Sequence, residues 1–75
     1  MKMEMTFGEK IKLLREEASL SQIQLGNELG MSQRRISYIE CGKYEPNLED
    51  IRLFCCFFDV TADYLLGLQD KKRNR

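Results

Sequence analysis

Two short helical segments in the middle of this chain are separated by only three residues, Gly30, Met31 and Ser32. The first segment opens at Ser21 and carries Gln24 three positions later, which is the capping-box pattern of a helix N-terminus. Gly30 is placed to end that helix in the left-handed conformation, and Ser32 is placed to cap the next one. Because a three-residue turn led by glycine makes consecutive helices cross steeply, the spacing predicts a closely packed helix pair.

A glycine inside the first of these helices supports the same interpretation. Gly26 occupies an interior position, where glycine costs about 1 kcal/mol relative to alanine. The missing side chain lets the following helix approach closely, and Met31 is expected to fill the space beneath the turn. Spacing, caps and Gly26 together predict a helix-turn-helix connection.

Capping residues mark three further helices, so the fold class is predicted to be all-α, a compact five-helix bundle. The expected N-caps, in chain order, are Thr6, Ser21, Ser32, Asn47 and Thr61. The glycines expected to end helices two, three and five are Gly30, Gly42 and Gly67. The predicted domain covers residues 6–68, between a flexible N-terminal segment at 1–5 and a basic C-terminal tail at 69–75.

Composition limits what such a domain can do. The 75 residues are 43% hydrophobic and 32% charged, which suits one small soluble domain. Three cysteines and no histidine argue against a disulfide framework, a zinc site and a histidine-assisted nucleophile. The apolar run at 53–58 is far shorter than the roughly 20 residues that span a membrane. We therefore expect a cytoplasmic protein that is not an enzyme and has no metal, cofactor, membrane or small-molecule ligand.

The charge total and the charge distribution point in different directions. A formal net charge of zero is unusual for a nucleic-acid binder. Residues 32–43, however, contain Arg34, Arg35 and Lys43 against Glu40 alone, and the tail KKRNR is wholly basic. A local basic patch matters more for association than the total does.

The third helix has an outward face of unusual composition. With Ile36 and Ile39 facing inward at about 100° per residue, Arg34 and Tyr38 face outward and Arg35 lies on one flank. The residues of this face, from the N-terminal end, are Gln33, Arg34, Ser37, Tyr38 and Cys41. Arginine pairs with guanine, glutamine pairs with adenine, and an aromatic ring can contact the thymine methyl group. The face therefore favours base contacts over an ordinary solvated surface.

The stretch LSQIQLGNELGMSQRRISYIECGKYEPNLEDI resembles the DNA-binding domain of the phage repressor and Cro-like, or Xre-type, helix-turn-helix family. The likeness extends through FFDVTADYLLG and covers roughly residues 6–68. Departures are Gly26 at a usual alanine, Cys41 at a common polar site and Leu13 at a usually polar site. The resemblance implies a lambda repressor-like fold whose third helix enters the major groove of double-stranded DNA.

The residue types and the resemblance together give the expected contacts. The residues expected to contact base edges are Gln33, Arg34, Ser37 and Tyr38. The residues expected to contact phosphates are Gln22, Ser32, Arg35, Lys43 and Asn47. The resemblance implies that Gln22 also braces Gln33. Arg35 is left open between a base contact, a phosphate contact and a position along the protein surface. Glu45 and Glu49 are unfavourable neighbours for a phosphate.

Glu40 is an acid on the inward side of the third helix, which is costly unless it is paired. The family places a salt bridge here, so the resemblance implies an Arg15–Glu40 pair between helices one and three. The alternative is that Arg15 lies in solvent beside Glu16 or Glu17.

The fourth helix, LEDIRLFCCFF, is apolar over much of its circumference. One face carries Leu48, Ile51, Cys55 and Phe58, with Phe54 beside them. Cys55 and Cys56 are expected to pack as small hydrophobic residues. The surplus predicts a homodimer, and its candidate interface residues are Leu53, Phe57, Leu65 and Leu68. Two alternatives to the homodimer remain open. One is that the N-terminal methionines cover this surface. The other is an antitoxin-like or other protein-interaction module, in which the surface binds a toxin or an antirepressor.

Overall fold

The computed structural model describes residues 5–69, and within them it contains five α-helices and no strand. The helices are α1 (Phe7–Glu17), α2 (Gln22–Leu29), α3 (Gln33–Cys41), α4 (Leu48–Phe58) and α5 (Ala62–Leu65). The predicted flexible segment and basic tail lie outside the described residues, except for Met5 and Gln69. No helix among residues 5–69 is long and apolar enough to cross a membrane.

Each helix begins where the sequence placed its N-cap. The cap side chains accept a hydrogen bond from the backbone N–H three residues later, at Thr6, Ser21, Ser32, Asn47 and Thr61. Gly30 and Gly42 end α2 and α3 in the left-handed conformation, with φ of 71° and 79°. Asp59 ends α4 in the same way with φ of 56°, without a glycine to mark the position in the sequence. Caps of this kind stabilise a helix by about 1 kcal/mol each.

The core contains side chains from all five helices. Its buried apolar residues are Ile11, Leu14, Leu25, Ile36, Ile39, Phe54, Val60 and Leu65. Phe54 is fully buried, and Cys55 and Phe58 pack against the core, so the predicted apolar face of α4 lies inward except at Leu48, which is 82% exposed. Leu65 is only 1% exposed, which corrects its assignment to a dimer interface because the core already covers it.

The two adjacent cysteines of α4 differ in their exposure to solvent. Cys55 is half-buried against the core, as expected, but Cys56 is exposed, which corrects the expectation that it packs as a small hydrophobic residue. Burial raises the pKa of the Cys55 thiol above its ordinary value. Among residues 5–69 there is no group of three or more histidine, cysteine or acidic side chains that could hold a metal ion.

Two glycines allow backbones to approach closely around α3. A Cβ atom built on Gly26 would lie 2.4 Å from the carbonyl oxygen of Met31, and the Met31 N–H donates to the Gly26 carbonyl at 2.8 Å. A Cβ atom on Gly8 would lie 2.4 Å from the carbonyl oxygen of Ile39. The turn therefore packs against α2, and α1 packs against the end of α3. Helix α3 is held on both sides while its outer face stays uncovered among the described residues.

Candidate nucleic-acid interface

The outer face of α3 presents polar and aromatic side chains above the buried Ile36 and Ile39. Gln33 and Arg34 are exposed in the first turn, and Tyr38 is exposed one turn later. Ser37 is half-buried on the flank of this face. The four residues expected to contact bases therefore lie on neighbouring positions of one helix, where i and i+4 side chains are adjacent.

Arg34 and Tyr38 contact each other on this face. The Arg34 Nε–H donates to the Tyr38 hydroxyl at 3.2 Å, and the guanidinium carbon lies 5.5 Å from the ring centroid. The Lys43 ammonium lies 6.0 Å from the same ring. Cation–π contacts at exposed sites contribute about 0.5–1 kcal/mol. The contact through Nε orients the guanidinium while its terminal nitrogens are the donors that suit a guanine edge.

Beneath this face, Arg15 and Glu40 form a buried ion pair between α1 and α3. Arg15 Nε and Nη2 donate to the two Glu40 carboxylate oxygens at 2.7 and 3.1 Å. Arg15 Nη1 donates to the Leu20 carbonyl at 2.8 Å, and the Glu40 side chain is only 4% exposed. The hydrogen bond to Glu40 raises the pKa of Arg15 above its ordinary value. This is the contact that the family resemblance implied.

A line of amide side chains connects this ion pair to the start of α3. Gln22 Nε2 donates to Glu40 at 3.0 Å, and Gln33 Nε2 donates to Gln22 Oε1 at 3.3 Å. Because the carboxylate can only accept, Gln22 must turn its NH2 group toward Glu40 and its oxygen toward Gln33. Gln33 then keeps its own oxygen and one N–H for an outside partner. That pair of groups matches the N6 and N7 positions of adenine.

Arg35 points away from the outer face of α3. Its Nη2 donates to Asp50 Oδ2 at 2.9 Å and to the Tyr44 hydroxyl at 2.8 Å. Of the positions left open for Arg35, the structure shows the one along the protein surface. Asp50 could not be identified as its partner from the sequence, because nothing in the local pattern relates two residues that are 15 positions apart.

The remaining phosphate candidates lie around the same face. Gln22 is half-buried at the start of α2, while Lys43 is exposed in the loop after α3. Ser32 and Asn47 are exposed, but each side chain caps a helix, so the backbone N–H groups around them are the donors to consider. The Asn47 N–H itself donates to Asp50 Oδ2 at 3.2 Å. Helix N-termini suit anions because their first N–H groups lack partners within the helix.

Comparison with known proteins agrees with this architecture. The helix-turn-helix family model matches residues 11–65 of the chain. The HTH-type transcriptional activator BcrR of Enterococcus faecalis is 44% identical over 63 residues, which are 84% of this chain and 31% of that protein. The immunity repressor protein of Bacillus phage phi105 is 29% identical over 63 residues, which are 84% of this chain and 44% of that protein. The chain thus spans less than half the length of either relative.

A solved structure shows the same fold. The P22 c2 repressor protein, crystallised in complex with synthetic operator 9T, matches with a TM-score of 0.80 and 30% sequence identity. The match covers 88% of this chain and 100% of the repressor chain. It confirms the predicted all-α, repressor-type helix-turn-helix fold.

Proposed function

Because the chain belongs to the helix-turn-helix family, whose model matches residues 11–65, we propose that it is a sequence-specific DNA-binding transcriptional regulator. The observation that carries this proposal is the outer face of α3, where the Gln22–Gln33 amide line orients one base-contacting group and Tyr38 orients another. We propose that it acts as a repressor, because a protein can repress transcription by occupying an operator, and this requires only DNA binding. The similar proteins include one named as a repressor and one named as an activator.

In this proposal the start of α3 lies in the major groove. Gln33 accepts from adenine N6 and donates to N7, while Arg34 donates to guanine O6 and N7. Ser37 and Tyr38 contact bases one turn further along, where the ring can pack against a thymine methyl group. These contacts specify the sequence.

Phosphate contacts fix the register of the protein on the duplex. Gln22 has a second amide N–H beside the one given to Glu40, and it lies in the first turn of α2. The Lys43 side chain, the backbone amide at Ser32 and the backbone amides around Asn47 complete the proposed set. Glu45 and Glu49 weaken the attraction at the α4 end of this set, because both acids are exposed there.

Selection of bound sequences from a random double-stranded DNA pool tests the proposed function. We expect enrichment of an inverted repeat whose half-site centres lie about one helical turn apart, because a two-fold dimer presents two copies of α3. A Gln33→Ala variant is the matched comparison, and it is expected to lose preference at one adenine in each half-site. A pool that stays random after selection by the wild-type chain would contradict sequence-specific binding.

We also propose that the chain is a homodimer through the surface that α4 and α5 leave uncovered. Phe57 is 38% exposed, Leu66 is 52% exposed and Leu68 is 71% exposed, and Leu53 is half-buried. Burying apolar area contributes about 25 cal/mol per Å², so a patch of this kind favours association. The proposed contact residues are Leu53, Phe57 and Leu68.

Sedimentation equilibrium tests the dimer. The wild-type chain is expected to self-associate in the micromolar range, and Phe57→Glu is expected to shift it to monomer and weaken operator binding while circular dichroism stays unchanged. Ile23→Glu is the matched control, because Ile23 is an exposed apolar residue (56%) on α2 rather than on α4 or α5, and its replacement should not affect self-association. A wild-type monomer at high micromolar concentration, both free and on DNA, would overturn the homodimer. The surface would then fit an antirepressor or a toxin.

A further inference from the structure

Arg35 follows Arg34 in the chain but belongs to a different set of contacts. We call Arg35, Tyr44 and Asp50 the Arg35 cluster. The Arg35 guanidinium lies 4.6 Å from the centroid of the Tyr44 ring, and its Nη2 donates to the Tyr44 hydroxyl and to both oxygens of Asp50. The cluster therefore joins α3, the loop that follows it and the first turn of α4.

Asp50 is the centre of this cluster. Its side chain is only 5% exposed, and its Oδ2 also accepts the backbone N–H of Asn47 at 3.2 Å. The Asp50 N–H in turn donates to Asn47 Oδ1 at 2.8 Å. One buried carboxylate thus holds both the cap of α4 and the guanidinium from α3. Removing one partner of such a buried pair leaves the other charge uncompensated.

The loop between α3 and α4 is held from a second side. The Lys43 and Tyr44 N–H groups donate to the Tyr38 carbonyl at 2.8 and 3.3 Å. Tyr44 is half-buried, and its ring packs against the core. The backbone therefore fixes the start of the loop to the end of α3, while the Arg35 cluster fixes its far end and Asn47.

The Arg35 guanidinium is already engaged within the protein. Its Nε is buried and has no hydrogen-bond partner among the described residues, and its Nη2 is occupied by Asp50 and Tyr44. The side chain is 36% exposed, and a phosphate that approached Nη2 would have to displace a carboxylate that is already in place. The base-contacting Arg34, by contrast, is exposed.

We propose that Arg35 is a positioning residue for DNA binding: through Asp50 and Tyr44 it fixes the phosphate-binding loop relative to the base-contacting face of α3. This inference rests on the proposed function. The loop carries Lys43 and Asn47, and α3 carries Gln33 and Arg34, so the cluster sets the offset between backbone and base contacts. Bases and phosphates of one duplex have a fixed spacing, and simultaneous contact requires that offset.

Asp50→Asn separates positioning from direct contact because the two roles predict effects of opposite sign. If Arg35 contacted phosphate, removing the acid would release the arginine and lower the local negative charge, and binding would strengthen. If Arg35 acts through Asp50, binding weakens although the protein loses a negative charge. Glu49→Gln is the matched control, since Glu49 is an exposed acid next to Asp50 whose side chain is 64% exposed and pairs with Arg52 instead.

The test is the operator Kd of the intact chain at several salt concentrations, with the operator obtained by selection. Arg35→Met and Asp50→Asn are each expected to bind about tenfold more weakly, and the double variant no more weakly than either, because coupled residues are not additive. The salt slope should change in the same way in both variants, because each displaces the loop that carries Lys43. Loss of a direct Arg35–phosphate contact would instead flatten the slope in Arg35→Met alone, by about one unit per lost contact. Glu49→Gln should bind as tightly as wild type or slightly more tightly.

Amide hydrogen exchange supplies a readout without DNA. Exchange at Asn47 and Asp50 is expected to speed up in both variants. Tyr44→Phe removes only a hydroxyl, and it keeps the test decisive if Asp50→Asn does not fold. It should weaken operator binding although no charge has been removed.

Tighter binding by Asp50→Asn, a salt slope flattened in Arg35→Met but not in Asp50→Asn, or wild-type affinity in Tyr44→Phe would each overturn the positioning role. A wild-type chain that selects no sequence would overturn the proposed function and this inference together. Selective wild-type binding with unaffected variants would overturn this inference alone.

Discussion

Replacing Arg15 by alanine is expected to lower the free energy of unfolding by about 3–5 kcal/mol. The Glu40 side chain is 4% exposed, and Arg15 supplies two of the hydrogen bonds that its carboxylate accepts. Gln22 would remain as a neutral donor, which does not compensate a buried charge. The Leu20 carbonyl would also lose its donor. Urea denaturation followed by circular dichroism measures the effect.

A double-mutant cycle is the control for this prediction. Arg15→Met with Glu40→Leu should cost much less than the sum of the single replacements, because an apolar pair of similar volume leaves no buried charge. Arg52→Ala is the matched surface variant; its contact with Glu49 is 3.8 Å long and both side chains are more than 60% exposed, so a change of at most about 1 kcal/mol is expected. Additive losses at Arg15 and Glu40 would contradict a coupled ion pair.

This ion pair connects stability with the proposed base contacts. The Glu40 carboxylate determines which way the Gln22 amide is turned, and Gln22 determines the orientation of Gln33. A charge buried between α1 and α3 therefore influences which groups Gln33 presents to DNA. In this domain the interior and the outer face of α3 are one hydrogen-bonded network.

The helix boundaries could be predicted because their signals are local. A Ser, Thr or Asn cap contacts an N–H group three residues later, so a four-residue window contains the whole interaction. The outer face of α3 was also predictable, because Ile36 and Ile39 fix the inward direction and the neighbouring residues then follow from helical geometry. The family resemblance, rather than the pattern, supplied the Arg15–Glu40 pair.

Periodicity placed the apolar face of α4 only approximately, because it did not predict that Leu48 is exposed and that Phe54 is the most buried residue of the helix. Because the helix is apolar on most sides, several faces give similar stripes, and the choice between Phe54 and Leu48 depends on the shape of the remaining core. The burial of Leu65 could not be predicted from periodicity either, because Leu65 lies in a four-residue helix that is too short to show a period.

The Arg35 cluster and the close approach at Gly8 were missed for a related reason. Asp50 is visible in the sequence as a first-turn acid of α4, but only the packing of α4 brings it to Arg35. Gly8 lies beside the carbonyl of Ile39, which is far away in the chain. Contacts between residues far apart in the chain can be predicted only when the packing of the helices is known.

Replacing Arg34 by alanine is expected to cost about 1–3 kcal/mol of binding free energy at one base position in each half-site and to relax the preference there. Arg34 is exposed in the first turn of α3, and its contact with Tyr38 orients the guanidinium. Lys43→Ala is the matched comparison, since it removes a cation that is proposed to contact phosphate. Lys43→Ala should weaken binding to all DNA sequences nearly equally. It should also flatten the slope of log K against log salt concentration by about one unit per lost contact.

Binding of the wild-type chain and Arg34→Ala to a panel of single-base operator variants, at two salt concentrations, tests most directly whether α3 contacts bases. The wild-type chain is expected to discriminate at every contacted position, and Arg34→Ala to lose discrimination at one position per half-site while keeping the others. A uniform loss of affinity in Arg34→Ala, with every base preference unchanged, would contradict base recognition through this residue and would leave only an electrostatic contribution from the outer face of α3.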